Sequence, residues 1–399
     1  MSRTRTDLLR LISISFVLVI HVTGPYELHF VRNHDYLSMD FLAVILNQLA
    51  RFSVPVFVAL SGFGLTAKYL EKTKKQGSAA GNISISVGPF YADRLVKIGL
   101  PFAFWTIVFL YFRDRLGGPY NAEFFEGMVP YLYRKGADYH FYFFHIIFEC
   151  YAVFPALAWI MGRGSRYRKV ILIVSALLQF YMSQPSHIVF ADWPRPPFLF
   201  SAFILYWQFP LILGMFLAFQ NGTGAAQETH PEAGESLYSG TSGRKEDPAT
   251  AKWQKSKTTR WYSILATLAF LIALLEYIYW SYRSDMPGDF NHFTRISVML
   301  YSAAVLMLFR SWPEGHVHPA LTSSISYLSG LTFFVFIVHT ALLRALQHYL
   351  PAWLPLTLLL LWFLGFGLAI LMDRLIGWRW LRLTLALDKR RTSWPLSGW

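Results

Sequence analysis

Long apolar runs separated by short polar stretches recur along almost the whole chain. A helix needs roughly 20 apolar residues to cross about 30 Å of hydrocarbon. About ten segments meet or approach that length: 7–23, 41–66, 95–112, 141–161, 170–182, 198–219, 261–280, 293–309, 325–343 and 353–372. The fifth and eighth are the weakest, being short or interrupted by charge. The pattern predicts an all-α fold, a polytopic integral membrane bundle of about ten transmembrane helices.

Residues 221–260 break the pattern. They are polar and rich in Gly, Ser, Thr and charge, and they lack an apolar period that could repay the cost of ordering. The expectation is a flexible cytoplasmic linker between spans six and seven, inside one transmembrane domain over 1–378, followed by a basic cytoplasmic tail over 379–399. No internal repeat suggests the symmetric halves of many transporters. Arg3, Arg5 and Arg10 before the first apolar run imitate a secretory leader, but Val22-Thr23-Gly24-Pro25-Tyr26 offers no small-residue cleavage pattern, so the segment reads as a retained first helix. Most of the 36 Lys and Arg fall on one alternating set of connections. That bias predicts cytoplasmic termini and a multi-pass protein of the cell membrane, the inner membrane in a bacterium.

Composition agrees. The hydrophobic class makes up 54% and charged residues only 15%, where soluble domains carry roughly a quarter charged. The 18% aromatic content suits lipid-facing and interfacial belts. The single cysteine, Cys150, excludes an internal disulfide framework or a Cys-ligated zinc site. A formal charge of +13 is what cytoplasmic loops collect for topological reasons, so no nucleic-acid partner is expected. No H-E-x-x-H, P-loop or dinucleotide glycine pattern appears, and no metal is expected.

The candidate chemistry lies among polar residues at membrane depth. Arg10 and His21 are eleven residues apart, three helical turns with about 20° left over, so they share one face about 16 Å apart. With Arg10 at the boundary, His21 sits near mid-bilayer, where ionisable groups are costly and mark function. Imidazole titrates near neutral pH and can take a proton from a hydroxyl as that oxygen attacks an acyl carbonyl. Arg10 can hold a phosphate or carboxylate on the same face. Arg51, ten residues into a span, needs a partner, and Glu149 in the fourth span is the candidate for an ion pair or a substrate contact. Ser61-Gly62-Phe63 lacks the elbow of a serine hydrolase, which favours close packing or a backbone contact.

Several of these positions together resemble acyltransferase family 3, whose members include O-antigen and other surface-polysaccharide acetyltransferases. Arg10 and His21 look like its R-x10-H motif. Arg51-Phe-Ser-Val-Pro-Val-Phe-Val-Ala-Leu-Ser61-Gly62-Phe63 is similar to its V-P-x-F-x-x-S-G-F/Y segment, with one more residue before the serine. Arg94-Leu-Val-Lys97-Ile-Gly-Leu-Pro101 resembles R-x-x-R-I-x-x-P. His140, Tyr151 and Pro155 match the family's His, Tyr and Pro in the fourth span, and Ser329 to His339 looks like its serine-to-Y-L-x-H segment. There are three departures: Lys97 for Arg, Tyr142 for Trp, and Phe336-Ile337 for Tyr-Leu. Lysine keeps the charge but not the bidentate fork.

The resemblance implies transfer of an acyl group, usually acetyl, from cytoplasmic acyl-CoA to a hydroxyl of a cell-surface or secreted carbohydrate. His21 and Arg10 would be catalytic. Arg94, Lys97 and Arg10 would bind the donor, acetyl-CoA or another acyl-CoA. Arg51, Ser61, His140, Glu149, Tyr151 and His339 would bind substrate. Partners would be membrane lipid, acyl-CoA and the carbohydrate acceptor. The alternative class is a secondary transporter or exporter of a glycan or small anionic solute, using Arg51, Glu149 and Glu276 as buried charges. A third reading is a non-catalytic partner of polysaccharide machinery.

Overall fold

The computed structural model describes residues 1–76, 83–112, 126–127, 136–183, 203–227, 248–312, 319–349 and 353–387. All regular structure among them is helical. The chain runs α1 (Arg3–Asn33), α2 (Met39–Ala50), α3 (Ser53–Lys75), α4 (Val87–Arg94), α5 (Leu100–Phe112), α6 (Tyr142–Gly162), α7 (Ser165–Met182) and α8 (Ile204–Gln227). It continues with α9 (Pro248–Ser281), α10 (Pro287–Phe290), α11 (Ile296–Ser311), α12 (Pro319–Tyr349), α13 (Leu354–Leu375) and α14 (Arg379–Thr384). Among the described residues, eight candidate spans are long and apolar enough to cross a membrane. Of the ten expected segments, two fall short. Helix α11 has only 16 residues, and α7 begins Ser165-Arg-Tyr-Arg-Lys169, which lowers its hydropathy.

Prolines set the breaks. The expected span 41–66 is two helices parted at Arg51-Phe52. The Pro55 ring would clash with the carbonyl of Arg51 in a continuous helix, and proline has no N–H to offer it. Pro101 acts likewise on Lys97, and there the backbone widens into a π-turn over Leu95–Gly99 that joins α4 to α5. Pro25 lies within α1 without ending it, so α1 passes well beyond the expected limit at residue 23 and closes at His34, whose N–H donates to Phe30 O at 2.7 Å.

Met1 and α14 lie at the same end of the bundle. Asn221 at the C-terminal part of α8 donates to Met1 O at 3.4 Å, Arg5 donates to Arg310 O at 2.7 Å, and Arg382 of α14 donates to Asp373 O at 2.9 Å. Residues 221–227 and 248–260 of the expected linker are helical extensions of α8 and α9; prolonging a nucleated helix costs far less than starting one. Residues 228–247 lie outside the described part.

Helices α3 and α8 cross at backbone contact. A Cβ on Gly62 would collide with the Leu211 carbonyl, and one on Gly214 with the Ala59 carbonyl, the small-residue packing that membrane bundles favour. Gly62→Ala is expected to lower stability by about 1–3 kcal/mol through overpacking, checked by the thermal midpoint of the purified protein in detergent. An unchanged midpoint would refute so tight a crossing.

Candidate active site

A cavity of about 730 Å³ lies at the end of the bundle that carries Met1 and α14. Its walls come from α1 (Arg10), α3 (Phe57, Ser61), the α4–α5 junction (Asp93 to Ile98), α6, α12 and the α14 segment. Among the described residues five cations, Arg10, Arg94, Lys97, Arg379 and Arg382, share this lining with one carboxylate, Asp93. Such a surplus in a low-dielectric cleft attracts anions. The volume falls within the usual range for small-molecule sites.

The cations are held in place from the same helices. Asp93 gathers Lys97 at 2.6 Å and Lys68 at 3.7 Å, and it also pairs with its neighbour Arg94. Arg94 lies over the Tyr151 ring at 5.5 Å, so two of the sequence-predicted positions meet. Arg10 rests against the buried Asp7 at 3.5 Å, and Asp7 in turn accepts from Ser326 and Ser329 of α12 at 3.0 Å each. Ser61 Oγ donates to Phe57 O at 3.0 Å while lining the cavity.

Phe57, Phe143, Phe144 and Phe336 close the inner end. Ring centroids lie 6.3 Å apart for Phe57 and Phe143, 5.1 Å for Phe143 and Phe336, and 6.3 Å for Phe144 and Phe336. Beyond Phe336 is a group of three histidines. His339 is one turn further along α12, and its ring is 4.8 Å from that of His21 and 5.1 Å from that of His140. Tyr139 covers His21 from another side at 5.1 Å. Arg10 and His21 thus lie at two levels of one helix face, one in the basic cavity and the other past its aromatic floor.

Hydrogen bonds orient this upper layer. His339 Nδ1 lies 2.6 Å from Phe336 O, which fixes the N–H on Nδ1 in the neutral ring and leaves Nε2 as an acceptor. Nε2 is buried with no partner among the described residues. His140 Nε2 is 3.1 Å from Ile337 O, and its Nδ1 is 3.6 Å from Asp138. Asp138, fully buried, also takes Thr340 at 3.1 Å and Arg344 at 2.6 Å.

A family model described as an acyltransferase domain matches residues 4–374. The chain belongs to acyltransferase family 3. No curated protein and no solved structure gives a significant match. As a member of this family the chain is a membrane acyltransferase.

Like the three histidines, Arg51 and Glu149 of this acyltransferase are not part of the cavity lining. Arg51 does not pair with Glu149. It reaches Glu27 of α1 at 3.4 Å, Asn47 at 2.8 Å and Asn291 O at 3.0 Å, with Phe293 4.7 Å below it. Glu149 instead accepts the Ile204 N–H at 2.6 Å, at the start of α8. The reason is geometric: α1 continues past Pro25 and carries Glu27 into the bundle beside α2. Glu276 pairs with Arg295 at 3.5 Å.

The family motifs do not single out Asp7, Asp93, Asp138, Arg379 or Arg382. Local signals exist for three. Asp7 is one turn before Arg10, Asp93 is one turn before Lys97, and Asp138 directly precedes the Tyr139-His140 pair. Nothing local marks Arg379 and Arg382, which reach the cavity because α14 folds back beneath the bundle.

Proposed function

We propose that this acyltransferase takes an acyl group, acetyl in the simplest case, from cytoplasmic acyl-CoA and delivers it to a hydroxyl of a cell-surface or secreted carbohydrate. The observation that carries the reading is the two-level face of α1. The cavity around Arg10, with Arg94 and Lys97, suits the phosphates of the donor, and the histidine layer lies one aromatic ring beyond it. The bias of Lys and Arg toward the cavity end supports a cytoplasmic location for both termini, the side from which CoA is supplied.

In this reading the pantetheine arm threads past Phe336 and presents the thioester near His21. His21 removes the proton of the acceptor hydroxyl as its oxygen attacks the thioester carbonyl. The new C–O bond forms, the C–S bond breaks and the CoA thiolate leaves. His339, with its lone pair on Nε2, supports the same proton transfer. The proposal assigns the chemistry to these side chains. A solute carrier would use Arg51, Glu149 and Glu276, and each of these is engaged in the contacts given above.

The test supplies labelled acetyl-CoA to the purified protein with cell-envelope glycan. Release of CoA together with a glycan mass step of one acetyl unit supports the proposal. Neither CoA release nor labelling would remove it.

A further inference from the structure

Arg379 is distinct among the cations of the cavity. Arg94 and Lys97 share Asp93, Arg10 rests on Asp7, and Arg382 pairs with Asp373. Arg379 lines the same cavity, is exposed, and has no ion-pair, hydrogen-bond or ring partner among the described residues. Its place is secured by its neighbours. Arg382 Nη1 donates to the carbonyls of Asp373 at 2.9 Å and Ile376 at 3.2 Å, and Tyr327 donates to the Asp373 carboxylate at 3.0 Å. These bonds clamp the start of α14 to the ends of α12 and α13, so a solvent-exposed guanidinium is held at the wall of an anion-attracting cleft.

We propose that Arg379 recognises the terminal phosphomonoester of the nucleotide end of the donor, a contact that rests on the acyl-CoA reading above. The order of exposure along the wall supports this assignment. The side chain of Arg94 is 14% exposed and that of Lys97 is 44% exposed, and Arg379 is also on the exposed side. A donor with its thioester directed at the aromatic floor puts its diphosphate against Arg94, the inner cation, and its nucleotide phosphate at the exposed rim. A phosphomonoester carries nearly two charges at neutral pH. Arg94 and Lys97 are already partly neutralised by Asp93, whereas Arg379 offers an uncommitted planar fork that fits phosphate oxygens. Trp378 and Trp380, 82% and 67% exposed, suit the membrane interface, so a lipid phosphate is the competing source of the same chemistry.

The test is equilibrium binding of acetyl-CoA and 3′-dephospho-acetyl-CoA to the full chain in nanodiscs, made with zwitterionic lipid or doped with phosphatidylglycerol. The wild type should prefer acetyl-CoA by about tenfold or more. Arg379→Gln should lose that preference by weakening acetyl-CoA alone, and Arg379→Lys should retain part of it. Equal weakening of both donors by Arg379→Gln, an intact preference, or an effect that appears only with anionic lipid would overturn the assignment while leaving the donor reading in place. A wild type that binds neither donor would refute the acyl-CoA reading itself.

Discussion

Replacing His21 with alanine is expected to reduce acyl transfer by roughly 10²- to 10⁴-fold, the usual contribution of a positioned general base, while the affinity for acetyl-CoA changes less than about twofold. The dissociation follows from the two levels of α1. The cavity proposed for the donor ends at Phe57, Phe143, Phe144 and Phe336, and His21 is not part of its lining. Removing the imidazole leaves the cluster of Arg10, Arg94 and Lys97 untouched. His21 touches His339 and Tyr139 through ring faces, so the loss of packing is small beside the loss of the base. The measurement pairs a single-turnover transfer rate with equilibrium donor binding on the same membrane-inserted variant. A variant that transfers at the wild-type rate would eliminate His21 as the base. One that loses donor binding as well would place the imidazole in the donor site rather than beyond it.

Much of this arrangement is visible in the chain itself, because hydropathy and proline act locally. Four candidate residues each stand four positions before a proline: His21 before Pro25, Arg51 before Pro55, Lys97 before Pro101 and Tyr151 before Pro155. In each case the proline withholds the N–H that a regular helix would give to that residue's carbonyl. The consequences differ with context. At Arg51 the helix breaks, at Lys97 it widens to a π-turn, and at His21 and Tyr151 it continues. Within a membrane such interruptions are tolerated where protein or a cavity surrounds them, which links proline to the polar interior rather than to lipid.

What the sequence conceals is tertiary. Ending the first span at residue 23 puts Glu27 in a loop and leaves Glu149 as the nearest carboxylate for Arg51; once α1 is seen to run through Pro25, Glu27 is the partner. In the same way, a basic stretch after the last span looks like a topological flank. Only the return of Arg382 onto Asp373 turns it into part of the cavity wall. Charge pairs made across the break between one helix and the next leave no periodic trace, so neither contact has a local pattern to announce it.

Arg51→Met is expected to cost about 3–5 kcal/mol of stability, because it strands a carboxylate in a buried site. Arg51 and Glu27 are 6% exposed each, and they share Asn291, whose side-chain amide donates to Glu27 while its carbonyl accepts from Arg51. Gln48 extends the network by donating to Asn291 Oδ1 at 3.0 Å and accepting from Arg295. The pair therefore ties α1, α2 and the start of α11 at membrane depth. Replacing both charges should cost much less than the sum of the two single changes, since the double variant buries no unpaired charge. Unfolding by denaturing detergent, followed for wild type, Arg51→Met, Glu27→Gln and the Glu27→Gln/Arg51→Met double variant, reads the coupling directly. Additive losses would show that the two residues stabilise the fold independently. If the double variant instead regains stability but transfers no acyl group, Arg51 acts on substrate as well as on the bundle, and the network is part of the acceptor site.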